Sequence, residues 1–121
     1  MTVSSKPIED FLTFLRDVQT EYHMAVATES ETTSVTNDLL HQLELLEHTY
    51  HEYAQVAKRL TEVRQERRKA KDIMFAAEPI LAWVENNKSC IKGMEQLLGE
   101  VRKAERATEN RIYTPRAGAK K

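Results

Sequence analysis

Between Tyr53 and Val84 the chain carries Tyr53, Val56, Leu60, Val63, Arg67, Ala70, Met74, Ala77, Leu81 and Val84, spaced alternately three and four apart. That spacing averages about 3.5 residues, the period of a helix whose apolar stripe packs along a second helix. A stripe this long predicts a helix over 50–86 and requires another helix to cover it. Arg67 is its only charged member. Pro79 falls off the stripe, on the outer face, where it bends a helix without piercing the seam. Composition points the same way. Ala, Glu, Lys, Leu and Arg make up 56 of the 121 residues, whereas three Gly and three Pro are too few for the turns of an all-β fold. A chain of this length has room for one domain.

The upstream residues carry the pattern of a covering helix. Ser4-Ser5-Lys6-Pro7 opens a helix, with serine as the cap and proline in the first turn, followed by Glu9 and Asp10 at the positive end of the helix dipole. Ile8, Phe11, Leu15, Val18, Tyr22 and Ala25 then form a heptad seam. The same phase continues through Glu29, Thr32, Thr36, Leu39, Leu43 and Leu46. Its middle is polar: six of the ten residues from Thr28 to Asn37 are Ser or Thr, types that compete for backbone hydrogen bonds. The unbroken phase favours one helix over about 6–47 against two helices joined by a loop near 29–36.

Thr49-Tyr50-His51-Glu52 has the form of a capping box, so a turn at 47–49 and a new helix at 50 are expected. A break is expected at Glu85–Ser89, with Asn87 or Ser89 as the cap. A last helix over about 90–110 presents Ile91, Met94, Leu98 and Val101 on one face. Gly93 and Gly99 weaken it, by about 1 kcal/mol each relative to Ala. Such glycines either admit another backbone or are tolerated because packing dominates. Residues 113–121 form a basic tail in which Pro115 and Gly118 stop any helix.

Charge is segregated along the chain. Residues 1–57 sum to −8 and residues 58–121 to +7, within a net −1. The simpler expectation is that an acidic helix neutralises a basic one, with Asp38, Glu44 and Glu47 pairing the arginines. The alternative is an open basic face.

Arg68-Lys69-Ala70-Lys71-Asp72, Glu78-Pro79-Ile80, Asn87-Lys88, Leu98-Gly99-Glu100-Val101-Arg102-Lys103 and Glu109-Asn110-Arg111-Ile112-Tyr113-Thr114-Pro115-Arg116 resemble stretches of a group of small helical proteins encoded by phages and prophages of Gram-positive bacteria. The similarity covers about 39–116. It implies a viral origin and brings no mechanism with it. It also implies that the Tyr113–Arg116 tail belongs to the working protein.

Few residues suggest chemistry. His41, Glu44, Glu47, His48, His51 and Glu52 crowd one stretch, but no Glu-x-x-His of the helical di-metal type occurs, and a turn at 47–49 divides the group. Glu44-x-x-Glu47 supplies half of the magnesium-binding pattern of the all-α nucleotide pyrophosphohydrolases. The required Glu-x-x-Asp is missing, since Asp72 has Lys69 at that distance. Cys90 is the single cysteine, so no internal disulfide forms, and no base lies near it in sequence. No metal, cofactor or catalytic residue is therefore expected. Arg64, Arg67, Arg68, Lys69 and Lys71 form a basic cluster, and Arg64, Arg68 and Lys71 share one helix face. No helix-turn-helix or aromatic stacking platform accompanies it. Trp83 is expected in the core. Arg67, on the seam, needs a partner or must thread its guanidinium out to water.

The expectation is an all-α fold: a long antiparallel, coiled-coil-like hairpin with a third helix packed back on it, in a single domain over 1–112. Its limited core favours a homodimer or higher oligomer. The expected function is that of a non-enzymatic phage or prophage interaction protein. It would dock a helical face on a host or phage protein and can thereby inhibit it. The alternative is a nucleic-acid-binding accessory protein that uses Arg64, Arg67, Arg68 and Lys71 with Arg111, Tyr113 and Arg116 of the tail. The opening residues lack the pattern of a signal peptide, and no run is long and apolar enough to span a membrane, so a cytoplasmic location is expected.

Overall fold

A computed structural model of the chain describes residues 3–45 and 47–109. It contains three helices: α1 (Lys6–Leu45), α2 (Tyr50–Asn86) and α3 (Lys88–Glu109). No strand occurs among the described residues. The fold is an all-α helical hairpin with a third helix. Leu46 and the residues from Asn110 onward, including Arg111, Tyr113 and Arg116, lie outside the described residues. The described residues divide into two compact units, the first made by those up to Phe14 and those from Asn87, the second by Leu15–Asn86.

The second unit is the hairpin. From Leu15 onward the seam of α1 buries Leu15, Ala25, Thr32 and Thr36, and that of α2 buries Val56, Val63, Ala70 and Ala77. Several of these side chains are small, so each removes little apolar area from water. The Ser/Thr-rich window of α1 stays helical because its hydroxyls are satisfied locally. Thr32 Oγ1 donates to the carbonyls of Thr28 (2.8 Å) and Glu29 (3.0 Å), Thr33 Oγ1 to Glu29 (2.9 Å), and Thr36 Oγ1 to Thr32 (2.8 Å). A hydroxyl bonded to its own preceding turn can enter the seam without an orphaned donor. That is why 29–36 is helix and not loop.

The turn is built as its sequence implies. The Thr49 N–H donates to Glu52 Oε1 (3.0 Å), and the Glu52 N–H donates to Thr49 Oγ1 (3.2 Å). His48 closes the other side of the turn. Its Nε2–H donates to the Gln42 carbonyl (2.8 Å), and its ring meets Tyr53 edge-on at 5.1 Å. Tyr53 thereby leaves the seam, where it was expected, and remains partly exposed.

In the first unit α3 packs on the opening turns of α1. Ile91, Met94, Leu98, Val101 and Glu105 run along the facing side of α3, with Leu98 buried, and Leu12 is buried on α1. Leu12 replaces Phe11, which the spacing had placed on the seam and which is more exposed. In these turns α1 faces α3, so its buried stripe is no longer set by the phase of the hairpin. The start of α1 is tied to Glu105, which accepts from Ser5 Oγ (2.6 Å) and the Ser5 N–H (3.1 Å), and Arg102 pairs with Glu9 at 3.2 Å. Gly93 and Gly99 face open space, with nothing within 4 Å of a Cβ placed on either. They admit no other backbone among the described residues.

α3 starts at Lys88, two residues earlier than expected, with Asn87 alone between α2 and α3. The Ile91 N–H bonds the Asn87 carbonyl at 3.0 Å, so the helical bonding resumes at Asn87. α1 ends at Leu45, two residues short of the expected boundary.

Candidate binding surfaces of the helical hairpin

Each seam has two flanks. On α2, Glu66, Ile73 and Ile80 directly precede seam residues, and Arg64 and Lys71 directly follow them, so the two sets project to opposite sides.

The first flank is apolar. Glu21, Met24, Ala25 and Thr28 of α1 and Glu66, Lys69, Ala70 and Ile73 of α2 line an open groove of about 450 Å³. A smaller groove of about 170 Å³ adjoins it, lined among others by Val18, Ile73, Ala76 and Ile80. Met24 is 66% exposed and Ile73 42%, although both are large apolar side chains at the groove edge. The walls are hydrocarbon and the rim carries both signs of charge, from Glu21, Glu66 and Lys69. Trp83, expected in the core, is 40% exposed, because its position lies beside the seam and not on it.

The opposite flank is basic. Thr36, Arg64, Arg67, Arg68 and Lys71 line a groove of about 320 Å³, which Thr61, Gln65, Arg64 and Arg68 extend by a further 220 Å³ or so. The structure thus brings together four of the five residues of the basic cluster, Arg64, Arg67, Arg68 and Lys71, and places the fifth, Lys69, on the apolar flank. Arg67 reaches across the seam, its Nε 3.4 Å from Glu29 Oε1, and remains partly exposed. Glu29 is its partner; the expected pairing of the cluster with Asp38, Glu44 and Glu47 is not found. Among the described residues, Arg64, Arg68, Lys69 and Lys71 form no ion pair. The reason lies in α1. By helical repeat, with Glu29 against Arg67, the residues of α1 on this flank across from Arg64–Lys71 are Val26, Ser30 and Thr33, none of them acidic. The acidic helix therefore pairs Arg67 but leaves the rest of this stretch of the basic one without an ion pair among the described residues.

The sequence reading passed over Phe75. It follows Lys71 by four residues and Arg68 by seven, which puts it on their face of α2, and it is 78% exposed. The signal was available: an aromatic residue off the apolar stripe has no seam to enter.

Among the described residues, no three His, Cys, Asp or Glu side chains are grouped so as to hold a metal ion. The histidine–glutamate stretch is divided by the turn, and His48 is consumed in closing it. Cys90 is exposed near the start of α3. Among the described residues, no helix is long and apolar enough to cross a membrane.

Compared with models of protein families, with curated proteins and with solved structures, the chain finds no match.

Proposed function

We propose that the protein is a non-enzymatic interaction protein, of phage or prophage origin, that docks the apolar flank of its hairpin onto a helix of another protein. One observation carries this reading: the open groove beside Met24 and Ile73, whose apolar side chains stand in water. Fully burying a side chain of this size is worth about 1.5–3 kcal/mol. A groove between two helices receives the apolar face of a third. Glu21, Glu66 and Lys69 at the rim select a partner with matching charges and exclude others. A second copy of the chain satisfies the same requirement, since a rim of both signs can complement itself, and a homodimer would form through this flank. The viral origin rests on the resemblance over about 39–116.

The test is photo-crosslinking from position 24 in the producing cell, with and without Ile73→Glu, together with sedimentation of the purified chain. The expected result is one discrete adduct, either with a second copy or with a single other protein that rebinds when both are purified. Ile73→Glu removes the adduct and leaves helicity unchanged. A protein that sediments as a monomer at every concentration and gives no adduct from position 24 would refute the reading.

A further inference from the structure

We propose that Arg64, Arg68, Lys71 and Phe75, on the basic flank of α2, bind a short stretch of single-stranded nucleic acid. The inference is independent of the apolar groove and uses the opposite side of the hairpin.

The four residues follow one another at steps of four, three and four, so they form a straight row along the helix. From Arg64 to Phe75 the row is roughly 16 Å long at 1.5 Å per residue. Three of its members are cations with no ion-pair partner among the described residues, beside a groove of about 320 Å³. The carboxylate nearest to them on the seam, Glu29, is engaged by Arg67. The facing residues of α1 are neutral. The row ends one turn beyond Phe75 at Glu78, so the positive run is limited to three charges.

Each part matches one part of a polynucleotide. Guanidinium and ammonium groups pair with successive phosphates, and each neutralised phosphate releases counterions. Gln65 in the groove wall supplies an amide that both donates and accepts, whereas the hydroxyls of Thr36 and Thr61 already donate to the carbonyls of Thr32 and Ala57 and are left as acceptors. Phe75 supplies what a purely electrostatic site lacks: an aromatic face left in water, on which an unpaired base can stack. In a duplex the base faces are already stacked, so Phe75 favours a single strand. A membrane surface would also attract three cations, but interfacial helices present a broad apolar face to the lipid. This flank offers one ring and the smaller Val26, less than such a face requires.

The test measures binding of a fluorescein-labelled oligothymidylate of fifteen residues to the full chain by anisotropy, between 25 and 200 mM NaCl. Oligothymidylate should bind, and affinity should fall with salt. The slope of log K against log salt should lose about 0.7 with each of Arg64→Gln and Arg68→Gln. Phe75→Leu should weaken binding roughly 5- to 150-fold at every salt concentration without changing the slope. All three positions are exposed, and circular dichroism should show unchanged helicity. The proposal is overturned by the absence of binding at 25 mM NaCl or by indifference to Phe75→Leu. It is equally overturned if the duplex of the same length binds as tightly, or if anionic phosphatidylglycerol vesicles bind and the oligonucleotide does not.

Discussion

Ser5 gives both of its donors to Glu105, the hydroxyl at 2.6 Å and the backbone N–H at 3.1 Å, across 100 residues of chain. The carboxylate thereby sits at the N-terminal end of α1, where the helix dipole is positive and backbone N–H groups lack intrahelical partners. A side chain of α3 caps α1.

This cap is sensitive to acid. The Ser5 hydroxyl, and then the Ser5 N–H, hold the Glu105 carboxyl below the ordinary glutamate value of 4.5. A carboxylate lowered by folding contributes stability that is fully present above its unfolded pKa and is lost as pH falls through the folded one. Glu52, lowered by the Thr49 N–H and hydroxyl, loses its part in the same range. Thermal unfolding followed from pH 6 to pH 3 should therefore show a falling midpoint below about pH 4.5. Glu105→Gln should reduce that fall, and amide exchange in α3 should be faster in the variant at neutral pH. Identical acid dependence in both proteins would remove Glu105 from the account.

The Glu29–Arg67 pair lies across a seam that is otherwise apolar or threonine-lined. Arg67→Ala should cost about 1 kcal/mol in urea denaturation, since the pair is partly exposed and part of the loss is packing of the arginine stem. Replacing both residues by Leu should restore or exceed the original stability. The double variant should also populate additional species on gel filtration, because a uniform apolar seam no longer fixes the register of the helices. A double variant that is less stable than either single one would contradict this.

Gly99 lies in a helix, with open space around it and no positive φ. Gly99→Ala should raise stability by about 1 kcal/mol, measured by denaturant midpoint at constant slope. Destabilisation would mean that another backbone approaches α3 at this point.

Thr49→Ala removes the acceptor for the Glu52 N–H and should cost about 1 kcal/mol. Glu52→Gln should cost less, because an amide oxygen can still accept from the Thr49 N–H. A greater loss in Glu52→Gln than in Thr49→Ala would show that the charge, and not the paired geometry, secures the turn.

The elements legible in the sequence were those whose cause is local. The capping box at Thr49 and Glu52 and the stripe of α2 each need only a few neighbouring residues to be recognised. The single helix through 29–36 was legible from the unbroken phase, although the threonine back-bonding that permits it was not. What escaped depended on which helix lies alongside. Leu12 replaces Phe11 because the opening turns of α1 face α3, and Ser5 meets Glu105 for the same reason. The basic cluster was found by composition, but the loss of its expected acidic partners required knowing which side of α1 faces it. Phe75 was overlooked because attention to the stripe discards what falls beside it.

α2 packs on α1 along its seam and presents the apolar groove and the basic row on its two flanks. The residues pointing straight away from α1 recur at multiples of seven, as Lys58, Gln65, Asp72 and Pro79; Gln65 reaches the basic groove, whereas Lys58, Asp72 and Pro79 line neither groove. Between Thr61 and Ile80, where the grooves lie, tolerance to substitution should therefore be greatest at Asp72 and Pro79. Pro79 belongs to this outward set, so the hydrogen bond it removes from α2 is lost on the side away from α1 and from both grooves.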